Sequence, residues 1–313
     1  MKRAVATVIA TRRSAPRPIG SKLLVDDEGS MQGSVSGGCV ESEVYEVCRG
    51  VLRGDSPQLL TFGISDEQAF RVGLPCGGEI DVFVQEYDEA IFERIGDRRA
   101  VVYTDLSSGE QRLAFEGDDE QTDSLLRDAH SKVVGNVFAD VFGPPPRLLV
   151  FGAIDTAEAL CAAAKRLGWF TIAADARGRF ATRERLPSAD ELIVAWPDDV
   201  LARVQPDHAT AVVVLTHDEK FDLPALLGVL ETDAFYIGAL GSRRNQEKRR
   251  ERLLEEGVSE GALERIHGPT GLDIGAHSPE ETALSILAEI LAVRAGRAGG
   301  SLRESTQRIH AEV

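Results

Sequence analysis

The second half of the chain alternates short runs of apolar residues with longer stretches of helical periodicity. Residues 148–151, 170–174, 192–195, 211–215 and 234–237 read as strands of the buried type, and 156–167, 223–230 and 243–256 as helices between them. Short apolar strands separated by helices predict a doubly wound, mostly parallel α/β sheet. A last helix has a marked start, with Ser278 as N-cap, Pro279 at its first position and Glu281 three residues after the cap. It continues apolar through Ala283, Leu284, Leu287 and Leu291.

The first half is less regular. Residues 4–11 and 79–87 read as strands, and 99–115 as a hairpin turning at Ser107 to Gly109. Val40, Val44, Val47 and Val51 recur at helical spacing and predict a helix over 40–52 with one buried stripe. Between the halves, an apolar run ends at Phe142, and Gly143 and the stiff triplet Pro144 to Pro146 follow. The pattern therefore divides the chain into an N-terminal α+β domain over 1–143, a linker over 144–146 and a Rossmann-like domain over 147–313, whose tail is expected to be flexible from about 296.

Composition narrows what such a chain can do. With 313 residues there is length for two cores, and 43% hydrophobic against 27% charged residues describes an ordinary folded protein with no membrane span. A formal charge of −16 disfavours unspecific attraction to nucleic acid or anionic lipid. The chain does not open on a signal-peptide pattern, so a reducing cytoplasm is expected and the four cysteines should be thiols.

Two of those thiols stand beside glycine pairs. In "GSVSGGCVESEV", Cys39 follows Gly37 and Gly38 and precedes the helix; in "GLPCGGEIDVF", Cys76 precedes Gly77, Gly78 and a strand. Glycines and a helix start can expose consecutive N–H groups, which suits anions and favours a thiolate, although Glu41 and Glu43 add opposing charge. Together the loops suggest convergence on one ligand; singly, each reads equally as a turn holding a small buried thiol. Zinc is a poor fit, because neither loop is C-x-x-C and no histidine is near. Cys48 and Cys161 read as core residues. Arg12, Arg13, Arg17 and Lys22 form a positive loop that reads as solvated surface.

In the second domain the first strand runs into "FGAIDTAEAL", where Gly152 and Ala157 fill the outer places of a dinucleotide fingerprint but Ile154 replaces its middle glycine. Asp155 adds a charge repulsive to phosphate, while Asp175, 23 residues after Gly152, stands where a ribose-binding acid would. NAD(P) binding is thus doubtful, and a structural turn is an equal reading. Other strand ends carry Thr216, His217 and Asp218, and then Gly241, Ser242 and Arg243 at a helix start suited to an anion. The loop "RIHGPTGLDIGAHSPEE" is glycine-rich and polar, with His267, Asp273 and His277.

These stretches, with "PPPRLLVFGAIDTAEAL", "VVVLTHD", "YIGALGSRR" and "IHGPTGLDIGAHSPEETALSILAEI", resemble the XdhC/CoxI family of molybdenum-hydroxylase accessory proteins, in order and over nearly the whole chain. The resemblance is weak over 88–139, which reads as a lineage-specific insert or extension. It implies a chaperone rather than a turnover enzyme. Such a chaperone binds the molybdenum cofactor, protects or accepts its sulfido form with a cysteine desulfurase, and delivers it to an apo hydroxylase of xanthine dehydrogenase or carbon monoxide dehydrogenase type. It also implies Cys39 as the cofactor-associated cysteine, able to contact molybdenum, and Cys76 as the second motif; a homodimer is expected. Ile154 and Asp155 depart from the Gly-His pair of many members, which weakens any nucleotide role for that turn. The competing expectation is an NAD(P)-dependent oxidoreductase working through Gly152 and Asp175.

Overall fold

The structure, a computed structural model, describes residues 2–12, 17–63, 78–96, 98–128, 130–216 and 218–306. The chain forms two compact units, one made of the chain up to Pro144 together with its end from Ser305, and one spanning Pro145–Glu304.

The first unit holds two antiparallel sheets. Strands β1 (Arg3–Arg12), β2 (Lys22–Asp26), β3 (Met31–Gly33), β4 (Gln58–Phe62) and β5 (Glu79–Glu86) form a sheet in the order β3-β2-β1-β5-β4. Helix α1 (Glu41–Leu52) covers it, because Val44, Cys48 and Val51 form one buried stripe against Ala6, Val8, Val82 and Val84. Cys48 thus lies on the stripe and Val47 at its edge, a shift of one position from the sequence reading.

Among its described residues, the segment of weak resemblance forms helices and strands. Helix α2 (Glu89–Ile95) leads into β6 (Ala100–Asp105), β7 (Gln111–Phe115), helix α3 (Glu120–Asp128), β8 (Lys132–Val134) and β9 (Val137–Phe142), with the strands ordered β7-β6-β9-β8. β6 and β7 are the expected hairpin. Asp105 closes its turn, accepting the N–H groups of Ser107 and Ser108 at 2.9 Å each.

The second unit is a parallel six-stranded sheet of β10 (Arg147–Phe151), β11 (Phe170–Ala174), β12 (Glu191–Ile193), β13 (Thr210–Val214), β14 (Tyr236–Ala239) and β15 (Ile266–His267). Its order, β12-β11-β10-β13-β14-β15, reverses direction between β10 and β13. That is the doubly wound, Rossmann order, and it opens a crevice beyond the carboxyl ends of β10 and β13. Period-two alternation sends Leu148 and Val150 to one core with helices α4 (Asp155–Arg166) and α9 (Pro279–Arg294), and Leu149 and Phe151 to another. The second core is closed by α5 (Pro197–Val204), α6 (Glu219–Leu230), α7 (Arg243–Glu255) and the short α8 (Glu260–Leu263). Ser278 and Glu281 form the expected capping box at the start of α9. Helix α5 goes beyond the sequence reading, which assigns no element there; Val200, Leu201 and Val204 are buried on one face.

Candidate functional site

The loop between β3 and α1 is stitched by one carboxylate. Glu41 Oε1 accepts from Ser34 Oγ at 2.7 Å, Val35 N at 3.2 Å and Ser36 N at 2.9 Å, and Oε2 accepts from Gly38 N at 2.8 Å and from Ser36 Oγ. The serines complete the set. Ser34 Oγ accepts from Gly37 N at 2.8 Å, and Ser36 Oγ from Cys39 N at 2.9 Å and Val40 N at 3.0 Å. Every N–H from Val35 to Val40 therefore has a partner inside the chain. Gly37 and Gly38 supply the left-handed turns, at φ 76° and 112°, that let the backbone wrap around the carboxylate.

This corrects the expected anion site. The N–H groups offered by Gly37, Gly38 and the helix start are not open to a phosphate; Glu41 already fills that nest. Burial alone would raise the Glu41 carboxyl, but the Ser36 and Ser34 hydroxyls and the Ser36 N–H outweigh it and hold it down at about 2. It is ionised at any working pH.

What the loop presents instead is a thiol. Cys39 is half-buried at its end, packed on the edge of the first core, between buried Ser36 and Val40. Cys48 and Cys161 are fully buried, and burial pushes both thiols up to about 12, so they stay protonated and inert. Among the described residues Cys39 is the one accessible thiol, and no three His, Cys, Asp or Glu side chains gather as a metal site. Cys76 and Gly77 lie outside the described residues, as does His217. Gly78 is buried at the entry to β5.

Two residues of the positive loop are paired with acids of the first unit. Lys22 Nζ reaches Asp140 Oδ2 at 2.5 Å, and Arg12 grips Asp81 through Nη2–Oδ2 at 2.8 Å and Nη1–Oδ1 at 3.3 Å. Arg17 is exposed, and Arg13 lies outside the described residues. A solvated surface is therefore corrected for Lys22, which is half-buried, while Arg12 stays exposed as expected and ties β1 to Asp81 of β5.

In the second unit Gly152 follows β10 with φ 109° and lies against Thr216, two residues past β13. A Cβ there would stand 2.8 Å from Thr216 Cγ2 and 3.2 Å from Thr216 N. Gly152→Ala is expected to destabilise by about 1–3 kcal/mol, read as a lowered denaturant midpoint. The neighbouring Ala153 N donates to Asp175 Oδ2 at 2.9 Å, so the structure does bring Gly152 and Asp175 together.

Asp175, however, has no capacity left for a ribose. Besides Ala153 it accepts from Arg177 N at 2.9 Å, Arg177 Nε at 3.0 Å and Arg177 Nη2 at 2.8 Å, two bonds on each oxygen. Burial works to raise its carboxyl, and the hydrogen bonds from Arg177 and Ala153 reverse this and hold it below the usual range. The expected ribose-reading role is corrected: Asp175 locks the turn. Asp155 points outward at the start of α4, 3.5 Å from Arg185, and Ile154 is half-buried against the core.

At the end of β14, Ser242 caps α7 by accepting from Asn245 N at 3.3 Å, and Arg243 is exposed beside it, with Gly241 at φ 140°. The residue the sequence reading missed is Arg249, within the charged helix α7. Its Nη2 lies 2.8 Å from Asp222 Oδ2 and 3.2 Å from the Leu240 carbonyl, with both charged side chains almost wholly buried. Asp222 also accepts the Thr216 hydroxyl, which ties α6 and α7 to the crevice. The available signal was Asp222 itself, a lone acid within the apolar run of α6. A cleft beside this pair, lined by Glu219, Asn245 and Lys248, measures only ≈ 150 Å³, too small for a cofactor. In the polar loop, His267 stacks on Tyr236 at 4.6 Å with Nδ1 3.5 Å from Glu289, while Asp273 and His277 are exposed.

Known proteins share this architecture. A family model described as the XdhC Rossmann domain matches residues 148–290, and one described as the XdhC and CoxI family matches residues 2–63. A Bacillus subtilis protein, named for a probable subunit of xanthine dehydrogenase, is 28% identical over 93% of this chain and 92% of its own. The Escherichia coli molybdenum cofactor insertion chaperone PaoD is 28% identical over 93% of this chain and 83% of its own. A crystal structure described as a xanthine dehydrogenase from Bacillus halodurans matches with a TM-score of 0.72 and 25% identity, covering 98% of this chain and 94% of that one. With the two models matching in order, one on each unit, the chain belongs to the XdhC and CoxI family.

Proposed function

We propose that this protein is a carrier for the molybdenum cofactor, which it protects and passes to an apo hydroxylase of the xanthine dehydrogenase or carbon monoxide dehydrogenase type. The observation that carries this reading is the Cys39 thiol, half-exposed on a loop whose every N–H is satisfied by Glu41 and two serines. A soft sulfur donor on a preorganised loop suits a molybdenum–dithiolene cargo. The names of the two bacterial relatives, one a cofactor insertion chaperone and the other a probable xanthine dehydrogenase component, support the same direction. Sulfuration of the cargo would bring in a cysteine desulfurase as second partner. Cytoplasmic location and a homodimer complete the proposal; among the described residues no helix is long and apolar enough to cross a membrane.

Purified from a host that makes the cofactor, the protein should retain molybdopterin, measured as oxidised-pterin fluorescence per mole of chain. Cys39→Ala should lose most of that pterin with little change in melting temperature, because the thiol is only partly packed. Absence of pterin from the wild type, or full retention by Cys39→Ala, overturns the proposal. The oxidoreductase reading keeps the Rossmann strand order in its favour, but the saturated Asp175 opposes it. NADH fluorescence unchanged at millimolar cofactor leaves it without support.

A further inference from the structure

Beyond the carboxyl ends of β11 and β12 the second unit exposes three large apolar side chains that its core does not need. Phe180 is 37% exposed, Val194 55% and Trp196 51%. They are neighbours through a ladder of rings and guanidinium groups. Arg185 lies 5.2 Å from the Phe180 ring centre; Arg177 lies 4.4 Å from Phe180 and 5.7 Å from Phe221. Phe221 then stacks on Trp196 at 4.6 Å and 11°. Val194 touches the same loop, its Cγ1 3.4 Å from where a Cβ on Gly178 would stand.

The ladder is anchored from inside the fold. Arg177 is held by the buried Asp175, which also holds the turn after β10, so the rungs are set by the sheet itself. Trp196 is the outer rung. With Phe221 parallel to one face and half its surface exposed, its other face is open at the edge where doubly wound sheets take ligands. A rigid, one-sided aromatic platform recognises a flat heteroaromatic ring by stacking.

The surroundings select among such rings. A nucleotide lying here would need Asp175 for its ribose and the start of α4 for its phosphates. Asp175 is saturated and α4 opens on the exposed carboxylate of Asp155. A flat bicycle without a ribose meets neither obstacle.

We infer that the open face of Trp196, backed by Phe221 and the Arg177–Phe180 rungs, is a stacking site for a pterin ring. The platform stands on this geometry; that its natural occupant is the pterin of the molybdenum cargo rests on the proposed carrier role.

Equilibrium dialysis of the full-length protein against 6-hydroxymethylpterin, with AMP in a parallel arm, tests the site. The wild type should bind the pterin saturably, Trp196→Leu about tenfold more weakly, and Trp196→Phe in between, since a ring is kept. AMP should not displace the pterin. No pterin binding, equal binding by Trp196→Leu and wild type, or displacement by AMP each overturns the inference. So does conversion of a dimer to monomers by Trp196→Leu in size-exclusion chromatography, which would make the patch a self-interface. Should Trp196→Leu not fold, Trp196→Phe carries the comparison alone, with binding weakened by a few-fold. Retention of molybdopterin by the wild type is scored separately. If it is retained while free pterin ignores Trp196, the ring site falls and the carrier reading stands; if free pterin binds at Trp196 but no molybdopterin is retained, the carrier reading falls.

Discussion

Glu41→Ala is expected to cost about 2–4 kcal/mol and to dissolve the geometry around Cys39. The carboxylate receives five hydrogen bonds, three from backbone N–H groups and two from serine hydroxyls. Removing it leaves Val35 and Ser36, both buried, with unpaired donors, which is the expensive way to lose a hydrogen bond. Gly38 is exposed and can turn to water, which keeps the cost below the sum of five charged bonds. Hydrogen exchange should show lost protection at residues 35–40, and alkylation of Cys39 should accelerate as its loop opens. If protection and alkylation rate stay at wild-type values, the carboxylate is not the organiser of the loop.

The same residue sets a pH dependence. The folded carboxyl is held at about 2, below the ordinary value near 4.3 of an unfolded chain, so its stabilisation is complete above about pH 5. It is lost as pH falls from there toward 2. Wild-type stability should therefore decline over this window more steeply than that of Glu41→Ala, whose remaining slope comes from other depressed carboxylates. Glu289 is one of these, held at about 2 against burial by hydrogen bonds from His267, Tyr236 and Gly271.

Arg249→Ala is expected to cost about 3–5 kcal/mol in the second unit, the usual loss when one partner of a buried ion pair is removed. Asp222 would remain buried with a single hydrogen bond, from Thr216, and the tie from α7 to the Leu240 carbonyl would go. Replacing both charges, as Asp222→Leu with Arg249→Met, should cost far less than Arg249→Ala alone, because no uncompensated charge is left. Urea midpoints of the single and double variants decide this. A double variant as unstable as the single one would mean that packing, rather than the stranded charge, dominates.

Much of the fold was legible in the pattern of the chain. The strands at 170–174 and the capped start of the last helix follow directly from local chemistry, and the α/β alternation carries the doubly wound class. The fates of Cys48 and Cys161 were legible too, since each sits in a helix with apolar neighbours at helical spacing. Helix α5 was hidden because its first turn, Pro197-Asp198-Asp199, has the composition of a loop and only its second turn is apolar.

The candidate site was harder to read. Glycines before Cys39 advertised open N–H groups, and Glu41 was visible only as an unfavourable charge. That the charge turns inward and fills the nest depends on Gly37 and Gly38 both taking left-handed φ, a choice made in three dimensions. Asp175 likewise stood at a ribose-reader's distance along the chain, while Arg177, two residues on, takes the oxygens a ribose would need.

By itself the sequence determined the fold class, the family and the cysteine loop most worth testing, because periodicity and local motifs are carried by neighbours along the chain. Only the tertiary structure decided which polar groups remain free. Hydrogen-bonding capacity is finite, and whether Glu41, Asp175 or Arg249 can meet a ligand depends on the partners that folding has already brought to each.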